Sequence, residues 1–273
     1  LRNHIVLVLD ASSSMYLKKD YPGDAEGEAA TPWGSLRQTV FKFIESLFQH
    51  QRYDDTFEIV IFRVFGNHNA RCEIGNTRCY RVVKHPTIPN ETKFHIGRDQ
   101  DILRDYALFF KYIIGHLDVD TNHNRGATQF FTALHAAGQL IKNVRDEVAN
   151  QEQVVLKTHL MFFSDGESQK REEINQCRDV IRDLAYNHQT TVHILFYESP
   201  VIKDKAAAIA DLKTMAVAHT LVRQPRNAAN LTVLEKEFLN VAADVVNTGS
   251  DTFEATISTM MRTATDQIAA SFL

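Results

Sequence analysis

The stretch "IVLVLDASSSM", Ile5 to Met15, decides the fold. Its first half is an unbroken apolar run of strand length. Such runs mark strands buried on both faces, as in a parallel sheet sandwiched between helices. At Asp10 the run stops and a small polar tract follows. Three chemistries are open at that point: an aspartate nucleophile, a serine nucleophile, or a cradle of hard oxygen donors for a metal ion.

Working outward, strand-like and helix-like patterns alternate. Phe57–Phe65, His159–Phe163 and Thr191–Tyr197 read as further buried strands, and "HTLVR" (219–223) as a short final one. Apolar residues at helical spacing predict helices over Leu36–Phe48, Asp101–Leu117, Phe130–Val148, Glu172–His188, Lys205–Val217, Leu231–Val246 and Asp251–Phe272. "RCEIGNTRCYRVV" predicts a hairpin turning at Gly75-Asn76, and "KFHI" a short strand. The alternation predicts an α/β fold: a doubly wound, mostly parallel central sheet flanked by helices on both faces. The expected organisation is one domain over 1–248 with insertions at about 17–33 and 66–97. A C-terminal amphipathic helix over 249–273 would pack on the domain or on a neighbour.

Composition narrows the function classes. The chain has 273 residues, 44% of them hydrophobic, which suffices for one sizeable core. A formal net charge of -4 gives no electrostatic reason to expect nucleic acid or an anionic membrane. No apolar run nears the roughly 18 residues of a membrane span, so no membrane insertion is expected. The chain opens at Leu1 without Met, which reads as a processed product or a piece of a longer parent with other domains. Cys72 and Cys79 are spaced to pair, leaving Cys177 over; three free thiols in a reducing cytosol is the plainer reading. A zinc knuckle of His68, Cys72, Cys79 and His85 has unusual spacings. The other histidines read as surface or satisfied core residues. Asn90 and Asn230 open sequons, which matter only for a secreted protein.

In an open parallel sheet, ligands bind beyond the carboxyl ends of the strands. Three polar loops qualify: Asp10-Ala-Ser12-Ser-Ser14, Gly126-Ala-Thr128, and Ser164-Asp165-Gly166-Glu167. Their side chains are carboxylates and hydroxyls, a donor set suited to Mg²⁺ or Mn²⁺ rather than zinc. A phosphotransferase nucleophile at Asp10 would want a second carboxylate two residues on, where Ser12 stands, and a phosphate-binding lysine. No Gly-x-Ser-x-Gly elbow is present for a hydrolase. Glu167 reads either as tuning the site or as a helix-start acid. The acidic loop with Asp20, Asp24, Glu26 and Glu28 reads as a solvated insertion or a partner-gripping lid. Trp33 at its end is read as an anchor for the next helix.

Taken together, Asp10-x-Ser12-x-Ser14, Thr128 in "GATQFFTAL" and Asp165 in "FFSDGE" resemble the metal-ion-dependent adhesion site (MIDAS) of the von Willebrand factor A (vWA) family. The resemblance runs from about Asn3 to Val246 and leaves Gly66–Gly97 and the last helix unexplained. It implies a Rossmann-like vWA fold binding Mg²⁺ (or Mn²⁺/Ca²⁺). Ser12, Ser14 and Thr128 would be hydroxyl ligands, and Asp10 and Asp165 would act commonly through water. It further implies a binding module, not an enzyme, which engages a Glu or Asp of a protein partner. Alternatives are a metal-dependent phosphotransferase or hydrolase, and a scaffold whose metal is purely structural. The style of the motif and the lack of a disulfide framework point to a bacterial, cytoplasmic member, with a secreted one as the alternative. The resemblance also implies that helix Leu231–Val246 can couple metal-site state to the opposite pole.

Overall fold

The computed structural model describes residues 2–10, 15, 32–49, 56–64, 79–85, 93–96, 101–103, 130–149, 151, 154–164, 171–198, 204–230 and 232–246. Eight strands form one sheet: β1 (Arg2–Asp10), β2 (Thr56–Val64), β3 (Cys79–His85), β4 (Lys93–Ile96), β5 (Asp101–Leu103), β6 (Leu156–Ser164), β7 (Thr190–Tyr197) and β8 (Arg226–Ala228). Their order is β5-β4-β3-β2-β1-β6-β7-β8. The run from β2 through β1, β6 and β7 to β8 is parallel, and β3, β4 and β5 extend the sheet antiparallel beyond β2. The five helices are α1 (Pro32–Gln49), α2 (Phe130–Ala149), α3 (Arg171–Tyr186), α4 (Lys205–Met215) and α5 (residues 232–246).

The apolar run of β1 is buried on both sides, and its residues divide strictly by parity. Ile5, Leu7 and Leu9 join a core with α1 and α5, where Phe43 and Phe163 pack against Phe238. Val6 and Val8 join a second core with α2, α3 and α4. Period-2 alternation along one strand therefore feeds two apolar layers, and the sheet is doubly wound. Trp33 is buried in the first core, as the sequence reading expects.

Helix boundaries follow local chemistry. α1 starts at Pro32, four residues before the expected Leu36, because proline is preorganised for a first helical position. The Asp204 carboxylate caps α4 by accepting from the Ala207 amide at 2.9 Å. The Asn230 side chain accepts from Val233 N at 2.9 Å at the start of α5. Gly138 of α2 faces α3, where an added Cβ would lie 3.4 Å from Val180 Cγ1.

Two expectations change. Asp101–Leu103 is not the start of a helix but strand β5, with Leu103 opposite Phe94 of β4. The helical spacing there is overridden by an available strand edge; 104–117 lies outside the described residues. The final strand is Arg226–Ala228 rather than 219–223, where Val222 makes one parallel bridge to Val192. Pro225, which has no amide donor, separates the two pairings. Of the expected hairpin, β3 is described, and it pairs with β2 and β4; 71–78 lies outside the described residues. So do Cys72, the acidic loop before Thr31, and the helix expected over 249–273.

Candidate functional site

The chain leaves β1 to build one half of the sheet, β2 to β5, and returns on the other side of β1 as β6. The crevice between the carboxyl ends of β1 and β6 is therefore the topological switch point. The segments after these strands lead to helices on opposite faces: α1 after β1, α3 after β6. Ligands of open α/β sheets bind at such crevices because the diverging loops leave a gap there.

Two polar side chains meet at this point. Asp10 ends β1 with 1% exposure, and Ser164 ends β6 with 0%. The Ser164 hydroxyl donates to Asp10 Oδ2 at 2.7 Å, a good O–H···O distance. A buried carboxylate is costly unless hydrogen-bonded or matched by positive charge. The serine meets part of that requirement from the neighbouring strand.

The other expected ligands are tied to described anchors in sequence only. Ser12 and Ser14 lie between buried Asp10 and buried Met15. Asp165 directly follows Ser164. Thr128 stands two residues before Phe130, the first residue of α2, whose ring packs edge-on against Phe162 of β6 at 5.0 Å. Ser12, Ser14, Thr128, Asp165 and Glu167 themselves lie outside the described residues. Among the described residues, no three His, Cys, Asp or Glu side chains cluster as a metal site would require. The Asp10–Ser164 pair fits a hard cation in kind, since both groups offer oxygen only.

The sequence reading names Ser164 in a candidate loop but gives it no role of its own. Its signal is a polar side chain closing the apolar run "LMFF", as Asp10 closes "IVLVL". The histidines also differ from expectation. His159 and His193 are core residues, yet among the described residues His159 Nδ1 and both ring nitrogens of His193 have no hydrogen-bond partner. Cys177 is a buried free thiol; burial, aided by the Glu173 charge, pushes its pKa up to about 12, which makes it unreactive.

No protein-family model matches the sequence, and no curated protein matches it. Solved structures do align. The pilus adhesin SpaC from Lactobacillus rhamnosus GG, in its open conformation, aligns over 89% of this chain at TM-score 0.53 and 13% identity. This chain spans only 30% of that adhesin. The TFIIH p34 N-terminal domain aligns over 86% of this chain and 95% of its own length, at TM-score 0.50 and 11% identity. A von Willebrand factor type A protein from Catenulispora acidiphila aligns over 90% of this chain and 43% of its own at TM-score 0.45 and 15% identity. At these identities the likeness concerns the fold alone, an α/β arrangement. Among the described residues no helix is long and apolar enough to cross a membrane.

Proposed function

We propose that this chain is a divalent-metal-dependent protein-binding module. The observation that carries the reading is the buried Asp10–Ser164 hydrogen bond at the switch point of the sheet. Ser12, Ser14 and Thr128 would hold the ion through hydroxyls, with Asp10 and Asp165 contributing charge through water. Bound there, Mg²⁺ (or Mn²⁺/Ca²⁺) would offer an open coordination position to a partner's Glu or Asp. Ser164 orients Asp10, as the outer partners of metal ligands do. The likeness to a pilus adhesin supports an interaction role for this fold. A bacterial, cytoplasmic setting and a longer parent protein belong to the same proposal.

The test is affinity capture in Mg²⁺ with chelator elution, run beside phosphatase and ATPase assays on wild type and Asp10→Ala. Partner retention that requires the ion and is lost in Asp10→Ala, without turnover, supports the module. Metal-dependent turnover lost in Asp10→Ala would establish the enzyme alternative instead. Melting that drops on chelation while partner binding persists would assign the ion a structural role.

A further inference from the structure

Far from the switch point, the α1/α5 face carries a second polar feature. His159 of β6 and His193 of β7 stack at 5.8 Å between ring centroids, 19° from parallel. Both are buried, at 2% and 1% exposure, and three of their four ring nitrogens lack a hydrogen-bond partner among the described residues. Strand parity puts them on the side of Met161, Phe163 and Leu195, the face covered by α1 and α5.

The charged groups around the pair are mostly cationic. Lys157 lies on its own strand, and Arg223 and Arg226 lie on the segment beyond β7; each disfavours a proton on one or both rings. From α5 come Glu237 and Asp244, and both are engaged by Arg226, at 3.2 and 3.1 Å. α1 contributes apolar side chains to this face, Phe43, Ile44 and Leu47 among them.

The unit 221–246 joins the sheet at one edge by short pairings. It holds β7 through the Val222 bridge and the three-residue ladder of β8. Other described ties to the rest of the chain include the Asn227–Glu198 hydrogen bond, the Lys42–Glu235 ion pair at 2.7 Å, and the buried Val222 and apolar face of α5; the Arg226 clamp on Glu237 and Asp244 lies within the unit. An edge unit with so few ladder bonds can open by itself while the central strands stay closed.

We infer that the His159–His193 pair is an acid-sensitive latch for this edge unit. With both rings neutral, the unit, held together by the Arg226 clamp, closes over them. A proton on either ring adds positive charge to a buried site that already faces Arg223, with Lys157 near His159 and Arg226 near His193, and opening of 221–246 relieves it. A ring that titrates at about 3 when covered and near 6.5 when released shifts this opening about 25-fold between pH 7 and pH 5. The inference stands independently of the metal reading.

Amide hydrogen exchange of the chain at pH 7 and pH 5, corrected for intrinsic rates, tests it. The expected result is a loss of protection of about 25-fold in 232–246, with these amides less protected than those of β1 and β6 at both pH values. The double variant His159→Phe/His193→Phe should keep α5 protected at both pH values. Equal protection of α5 at the two pH values in wild type overturns the inference, as does α5 protection no lower than that of β1 and β6, which would be global unfolding alone. Selective opening that survives in the double variant overturns it too.

Discussion

Ser164→Ala is the sharpest perturbation of the candidate site. It removes one hydroxyl and leaves the carboxylate it served. The bond is short, at 2.7 Å, and both residues are at most 1% exposed, so water has no ready access to replace the donor. A hydrogen bond to a carboxylate contributes about 1.5–3 kcal/mol, against about 1 for a neutral pair. Deleting a hydroxyl leaves too small a void to add much. The expected loss is therefore about 2 kcal/mol of unfolding free energy.

Urea unfolding at pH 7 reads this loss as a lower midpoint at unchanged slope. The same experiment with added Mg²⁺ tests the link to metal. An ion that binds only the folded state at 100 times its Kd adds about 2.7 kcal/mol. Loss of an orienting outer partner weakens metal affinity about 10- to 100-fold. Ser164→Ala should thus lose stability in chelator and also require more Mg²⁺ to recover it. A stability change below about 0.5 kcal/mol would refute the account of the buried pair. A normal stability loss with an unchanged Mg²⁺ response would refute the role of Ser164 in orienting a metal-site carboxylate.

Other expectations follow from single features. Burial, reinforced by the Lys157 and Arg223 charges, lowers the His159 pKa to about 3. The unfolded chain therefore binds the extra proton first: stability is full above about pH 6.5 and falls progressively towards pH 3. Between pH 7 and pH 5 that residue alone should cost about 2 kcal/mol, measured by urea unfolding, and His159→Phe should remove that slope. Asp204→Ala deletes the cap on Ala207 N and should cost about 1 kcal/mol in thermal unfolding; no change would mean that the exposed cap is replaced by water. Gly138→Ala should stabilise by about 0.5 kcal/mol. The helix gain of about 1 kcal/mol outweighs contact with the movable Val180 side chain, and a lower melting temperature would show that α2 and α3 cannot yield.

Much of the fold was legible because the central strands are buried on both faces. A strand such as Ile5–Leu9 leaves no polar alternation to confuse with a helix, and its neighbours β6 and β7 share that character. The far edge was less legible. β5 has three residues, and only its register against Phe94–Ile96 makes it a strand. β8 likewise takes its identity from pairing with Leu195–Tyr197, and a proline before it hides the extension. Short edge strands are fixed by partners distant in sequence, and local periodicity carries no record of those partners.

The candidate site divides along the same line. That Asp10 ends a central strand could be read from one segment. That Ser164 donates to it could not, because the two are 154 residues apart and meet only when β6 returns beside β1. The reversal of strand order creates that adjacency, and the next helices, α1 and α3, pack on opposite faces. The burial of both side chains then has a geometric cause. They sit where neighbouring strands end together between two apolar layers, so each needs the other as a hydrogen-bond partner. An oxygen donor held there by a second strand cannot swing to solvent when a cation or a competing acid approaches. This fixity favours an oriented metal-site carboxylate over a mobile nucleophile, and the Mg²⁺ response of Ser164→Ala would expose its absence.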